Sequence, residues 1–474
     1  MKTALCAQSG FARRIDRYLN SVWYPICLGA LCAFSGLGDS SRYTVCMGLI
    51  AVTVLLTVLF ATDMKPLFAP MLMSFCALGK DSSVSYGDQK GDVMLSYNDM
   101  AFAFVIALGI LAVAALLFRF WKDGTLRDIW EKKNACGLSI LVLDAVFLLN
   151  GVFSQYWRPI DLAYGALMAF GFTFFYFVCV SIARRGQDVA RFACQCMVCT
   201  ALLGIFQVAV VLYRQDLLSL YLGIISGNDR NAVELGWGIV TSISAYLVLG
   251  IPAAFYLAAN HRYSIFSYLL AFFIYGNIVV LGCRGPILVG GVAVVVGIIA
   301  CCFGKNKSLC RKLALGIVCL IPIGLVLIHF SVIPLPQAAQ KFLEMARFTN
   351  LAKDGRIVVW ETGWEHFVSA PFLGVGFDKG AKVAYYVMQN FYANMYHNIG
   401  IQFLAAMGIL GLLAFLFHLW QVGMVFKKPT AKKILMLTLP LMILLMSMVD
   451  NFFFYLNQQI AYCMFIAVAE RKEI

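Results

Sequence analysis

Of 474 residues, 62% are hydrophobic and 13% charged, about half the charge a soluble globular domain carries. The apolar residues come in uninterrupted runs, which excludes a soluble fold. A formal charge of +13 fits the Lys and Arg that cytoplasmic loops of membrane proteins collect better than a nucleic-acid surface. The sequence predicts an all-α polytopic membrane protein, because lipid offers no partner for backbone N–H and C=O groups outside a helix.

In chain order, spans are expected near 22–38, 43–62, 64–79, 100–121, 137–153, 161–183, 192–213, 236–259, 264–282, 285–303, 313–332, 398–421, 434–450 and 452–469. This gives about fourteen helices, within a range of 12–14. The first follows Arg13, Arg14 and Arg17 and reads as a retained span, not a cleaved leader. The third is short and carries Pro66 and Pro70, as a re-entrant segment would. With both termini cytoplasmic, most of the 37 Lys and Arg face inward, the distribution the positive-inside rule demands. The 16 cysteines sit largely inside apolar runs and read as small hydrophobes, not as a disulfide or zinc framework.

This arrangement divides the chain into a transmembrane bundle of about eleven spans (1–332), a long extracytoplasmic loop subdomain (333–397) and three C-terminal transmembrane helices (398–474). The long loop and the turn Gly282-Cys283-Arg284-Gly285-Pro286 fall on one side of the membrane, so Arg284, Arg356 and His397 share a face. Arginine presents a planar five-donor fork suited to phosphate. Histidine titrates near neutrality and can act as general base, and a helix start favours an anion. Together they describe a site for a lipid-linked diphosphate, with His397 taking a proton from an attacking hydroxyl. Arg158, beyond the fifth span, is a further candidate diphosphate contact or an interface anchor. No Asp-x-Asp pair occurs in the outward segments, and Asp88 and Asp92 are too loosely spaced to stand in for one. No metal site is expected, and the arginines would carry the charge instead.

Three sequence elements go further. They are R-x-x-x-W (Arg356, Trp360), P-x-x-G-x-G (Pro371, Gly374, Gly376), and His-Asn opening a helix with G-x-x-G (His397, Asn398, Gly408, Gly411). With the Arg284-Gly285 turn they resemble the O-antigen ligase and O-antigen polymerase superfamily over a core region of 280–420. The resemblance implies a GT-C-like membrane fold and a metal-independent, inverting glycosyltransferase without a cofactor. It would act in the bacterial cytoplasmic (inner) membrane, with an extracytoplasmic active site. Its partners would be a polyprenyl-diphosphate-linked glycan donor, a glycan or lipid-linked acceptor and membrane lipid, with no nucleic acid. It also implies His397 as the catalytic residue and Arg284 and Arg356 on the diphosphate. Cys283 stands where the family often has Ser, and twelve spans are usual for the ligases. A transporter or lipid-linked glycan flippase is the alternative.

Other polar residues read as structural. His366, Glu361 and Glu365 fall on a surface helix with Trp360 and Trp364, expected to lie on the membrane or on the bundle. His329 and His418 read as packing residues within spans. Asp144, mid-span in an apolar run, is open between a functional and a structural role, since a charge there costs about 2.5–3.5 kcal/mol on insertion scales.

Overall fold

The computed structural model describes residues 10–38, 40–79, 99–131, 134–217, 233–260, 264–316, 355–377, 382–383, 393–427 and 429–471. The described residues are all-α apart from two short antiparallel pairs, Glu234–Leu235 with Gly238–Ile239 and Lys382–Val383 with Ala393–Asn394. Seven helices are long and apolar enough to cross a membrane, or eight if a bent pair counts as one span, among the described residues. Most of the expected span 313–332, the loops near Asp88 and Asp92, His329, and all of 333–354 lie outside those residues.

The chain divides into two compact units. The first comprises Met1–Lys132, Ser181–Cys283 and Gly290–Val326. It holds α1 (Gly10–Leu19), α2 (Trp23–Gly36), α3 (Ser40–Phe60), α4 (Phe68–Met73), α5 (Asp99–Lys122), α6 (Thr125–Glu131), α9 (Val189–Arg214), α10 (Val240–Asn260) and α11 (Ser264–Val280). α1 and α2 meet at 70°. α10 forms the centre of this unit, packed by α9 and α11 and buried almost all round, as its uniformly apolar sequence requires. The expected third span is a mixed helix. A 3-10 turn (Lys65–Leu67), α4 and a second 3-10 turn (Ser74–Ala77) follow one another. At about 1.5–2 Å per residue these fall short of the roughly 30 Å hydrocarbon core. Pro66 and Pro70 withhold N–H groups from a regular ladder.

The second unit comprises Lys133–Val180, Arg284–Val289 and Leu327–Ile474. It holds α7 (Gly137–Phe153), most of α8 (Pro159–Arg185), the first turns of α12 (Arg284–Cys301), α13 (Gly355–Ser369), α14 (Ile399–Val425), α15 (Ala431–Ser447) and α16 (Leu456–Ala469). α7 and α8 cross where they carry glycines. A Cβ on Gly165 would stand 2.4 Å from Phe147 O, and one on Gly151 3.0 Å from Asp161 O, so small residues set the crossing. Aromatic rings fill the interior around Phe403, which stacks on Phe415 at 4.5 Å and meets Phe147, Phe453 and Phe454.

The Phe403–Phe415 stack changes the expected span 398–421. In a straight helix those rings would be about 18 Å apart along the axis. Gly408 breaks α14 (φ 67°, ψ −162°), and the two arms, 399–407 and 409–425, fold sharply against each other. The second arm, about 25 Å long at 1.5 Å per residue, is the part suited to cross a membrane. The first is a short helix that carries the His397 end.

Candidate active site

The broken helix explains the glycine motifs. A break leaves carbonyls at the end of the first arm and N–H groups at the start of the second without helical partners, and buried groups of this kind must be paired. The Pro371–Gly376 segment supplies both sets. Val375 N and Gly376 N donate to Ala405 O and Ala406 O at 2.9 and 3.1 Å, while Pro371 O accepts from Ile409 N at 2.8 Å. Asn150 Nδ2 closes the joint, donating to Leu373 O at 2.6 Å and to Ala406 O at 2.7 Å. The P-x-x-G-x-G element is therefore a strap that satisfies a helix break, and its glycines are architectural. Gly374 (φ 73°) packs so closely that a Cβ would stand 2.3 Å from Ala406 C and O.

His397 enters the first arm through a constrained turn. Met395 (φ 73°) and His397 (φ 51°) both adopt the left-handed region, which costs a non-glycine residue roughly 1–3 kcal/mol. Several contacts impose it. Tyr396 between them is fully buried, its N–H donates to Gln402 Oε1 at 3.1 Å, and its hydroxyl meets His366 Nδ1 at 2.6 Å. Burial pushes the Tyr396 phenol up, so the hydroxyl keeps its proton. The buried Asn451 amide lies 3.1 Å from His397 N and 3.2 Å from Tyr396 N, and accepts both when its oxygen faces them. Asn398 is the N-cap, its Oδ1 accepting from Gly400 N (2.9 Å) and Ile401 N (3.2 Å). This corrects the expectation of a helix start open to an anion. Asn398 already occupies those N–H groups, as an N-cap residue does.

The His397 imidazole is about one-fifth exposed, and its Nδ1 lies 3.0 Å from Asp450 Oδ1. A carboxylate can only accept, so Nδ1 carries the hydrogen and Nε2 is left as the acceptor. This is the tautomer a general base needs, held by a third group that orients it. Asp450 was not foreseen from sequence, since it closes a span and lies 53 positions away. It also accepts from Asn451 N at 2.7 Å, and Asn398 Nδ2 donates to Met448 O at 3.1 Å. The end of α15 is thus tied to the start of α14 by polar contacts on both sides of the histidine.

Arg284 borders the same helix end. It opens α12, with an exposed side chain. The next residue, Gly285, is so near α15 that a Cβ would stand 2.9 Å from Val449 Cγ2, beside Asp450. Arg356, half-buried, is one turn ahead of Val359, which packs with Tyr396 and Ala405. α13 approaches closely there because Gly363 has no Cβ to strike Ile401 and Tyr396. Arg158 stands apart from these. It is exposed, and its N–H donates to Asp161 Oδ2 at 2.9 Å. Its turn packs on the strap, with Gln155 N donating to Gly374 O at 3.2 Å, at the far end of the first arm. That is about 13 Å from the His397 end at 1.5 Å per residue.

Among the described residues, His418, His366 and Asp144 have structural surroundings. His418 is buried between Ser139 Oγ and Tyr462 OH, both at 2.8 Å. His366 faces Tyr396, so α13 packs on α14 by this edge. Asp144 Oδ2 accepts from Thr173 Oγ1, and its Oδ1 has no hydrogen-bond partner among the described residues.

Residues 266–416 match the family model described as O-antigen ligase, a segment holding Arg284, Arg356, the strap and His397 but not Arg158 or Asp450. No curated protein matches the chain.

Proposed function

We propose that this chain, whose residues 266–416 match the family model described as O-antigen ligase, is an enzyme of polysaccharide assembly that transfers a glycan from a polyprenyl diphosphate to a hydroxyl acceptor on the extracytoplasmic side of the bacterial inner membrane. About fourteen spans and cytoplasmic termini belong to this reading. The observation that carries it is the His397–Asp450 pair at 3.0 Å, held at a strained turn beside the helix end that Arg284 borders.

His397 Nε2 takes the proton of the acceptor hydroxyl as its oxygen attacks the anomeric carbon of the donor sugar. The bond from that carbon to the diphosphate oxygen breaks, and its electron pair leaves with the polyprenyl diphosphate. Asp450 offsets the charge of the imidazolium that forms. Arg284 and Arg356 offset the charge gathering on the leaving group, an electrostatic contribution that acts mainly in the transition state. In-line attack from the face opposite the diphosphate inverts the anomeric centre. Arg158, exposed at the other end of the first arm, takes the other role the sequence offers it, an interface anchor.

Arg284→Lys is expected to lose transfer by about 10²-fold or more, because an ammonium keeps the charge and loses the fork. Product from a purified lipid-linked repeat unit, resolved by length, is the measurement. A ladder marks a polymerase and a single addition a ligase. Lysine activity equal to that of arginine would remove the diphosphate assignment. Inhibition by EDTA that a divalent ion reverses would contradict the metal-independent reading.

Asp450→Asn is expected to reduce turnover and to leave donor KM near its starting value. An amide does not stabilise the imidazolium and permits the wrong tautomer. Asp450→Glu should restore part of the rate. A purely structural role would instead lower the amount of folded protein and leave turnover per folded molecule unchanged.

A further inference from the structure

We propose that the outer flank of α13 is a glycan track, on which the sugars of the lipid-linked donor stack beside the catalytic histidine; this rests on the function proposed above. Arg356, Trp360 and Trp364 recur every four residues, so they form one stripe along the helix with a rise of about 6 Å between successive members. Ile357, Glu361 and Glu365 form the neighbouring stripe with the same spacing. The two stripes line an open groove of about 550 Å³ bounded by Ile357, Trp360, Glu361, Trp364 and Glu365. This flank is turned away from the Val359, Gly363 and His366 edge that packs on α14.

The chemistry of the groove selects its occupant. An indole face carries a negative quadrupole and attracts the weakly positive C–H groups of a pyranose face. Carboxylates beside it accept hydrogen bonds from sugar hydroxyls. Trp364 is 59% exposed, and Glu361 and Glu365 are exposed with no ion-pair partner among the described residues. A membrane-bound amphipathic helix would instead carry Lys and Arg beside its aromatics, to meet anionic headgroups. Two carboxylates would repel that surface. They would also repel a second phosphate, so the anionic end of the substrate is confined to Arg356 at the start of the stripe. Charge first and stacking surfaces after it match a diphosphate followed by sugars. Binding of sugars remote from the reacting carbon supplies the energy that positions the anomeric centre.

The test uses full-length protein in detergent on a His397→Ala background, so that turnover does not interfere. The probe is a lipid-free oligosaccharide released by mild acid from the host's lipid-linked repeat unit and labelled with a fluorophore. Equilibrium dialysis should show saturable binding. Trp364→Ala should weaken it by about fivefold to tenfold, Trp364→Phe should retain most of it, and Glu365→Gln should weaken it further than any change in salt does. Unchanged affinity in Trp364→Ala overturns the track. So does the reverse pattern, in which Trp364→Ala reduces binding to phosphatidylglycerol vesicles and leaves the oligosaccharide unaffected, since that identifies a membrane-facing helix. Transfer from the intact lipid-linked donor by the His397-containing protein is scored separately. Active transfer without oligosaccharide binding refutes the track alone, and binding without transfer refutes the function alone.

Discussion

His397→Ala is expected to abolish glycan transfer, lowering turnover by about 10²–10⁴-fold, the range a positioned general base contributes. The protein should remain folded, because the neighbours that hold its turn do so without the imidazole. Tyr396 stays anchored through Gln402 and His366, and Asn398 caps the helix whatever the side chain at 397. Among the described residues the imidazole's one fixed bond is to Asp450, which keeps its second contact to Asn451 N. Alanine also leaves the left-handed backbone angle without a stabilising side chain, so a small loss of thermal stability should accompany the loss of activity. Expression in a polysaccharide-deficient strain with quantification of membrane protein separates the two effects. Restoration of surface polysaccharide to the level given by the unmodified chain would end the assignment of His397 as base.

The second large effect concerns the fold. Gly374→Val should prevent accumulation of folded protein. A branched side chain at φ 73° is strained by backbone sterics alone. Its Cβ would also stand 2.3 Å from Ala406 C and O, atoms of a backbone already bonded to Gly376 N and Asn150. Relief requires the strap to leave the break, which would expose the unpaired carbonyls of the first arm and the N–H groups of the second. Each such buried group costs about 1–3 kcal/mol, so the loss summed over the joint is comparable with the whole stability of a domain. Detergent extraction followed by size-exclusion chromatography is the measurement. A monodisperse Gly374→Val protein with full activity would show that the strap is dispensable. The contrast between the two variants is informative, since one removes chemistry from an intact scaffold and the other removes the scaffold.

The sequence by itself determined the class of fold. Uninterrupted apolar runs admit only helices in a lipid-facing chain, and runs such as 100–121, 192–213 and 236–259 correspond to α5, α9 and α10. It also singled out the candidate site residues, because a histidine and arginines outside apolar runs are conspicuous in a chain only 13% charged. The glycine motifs were visible as patterns, but their task was not. Nothing in P-x-x-G-x-G states that its N–H groups will cap carbonyls released by Gly408, which lies 32 positions past Gly376. Asp450 was equally hidden, because one acidic residue at the end of a span reads as a solvated terminus until its partner is known. Hydropathy and periodicity report what a residue's neighbours along the chain allow. Only tertiary structure decided which backbone groups a broken helix would leave open, what would fill them, and which carboxylate would meet the histidine, because those pairings are made between segments far apart in the chain.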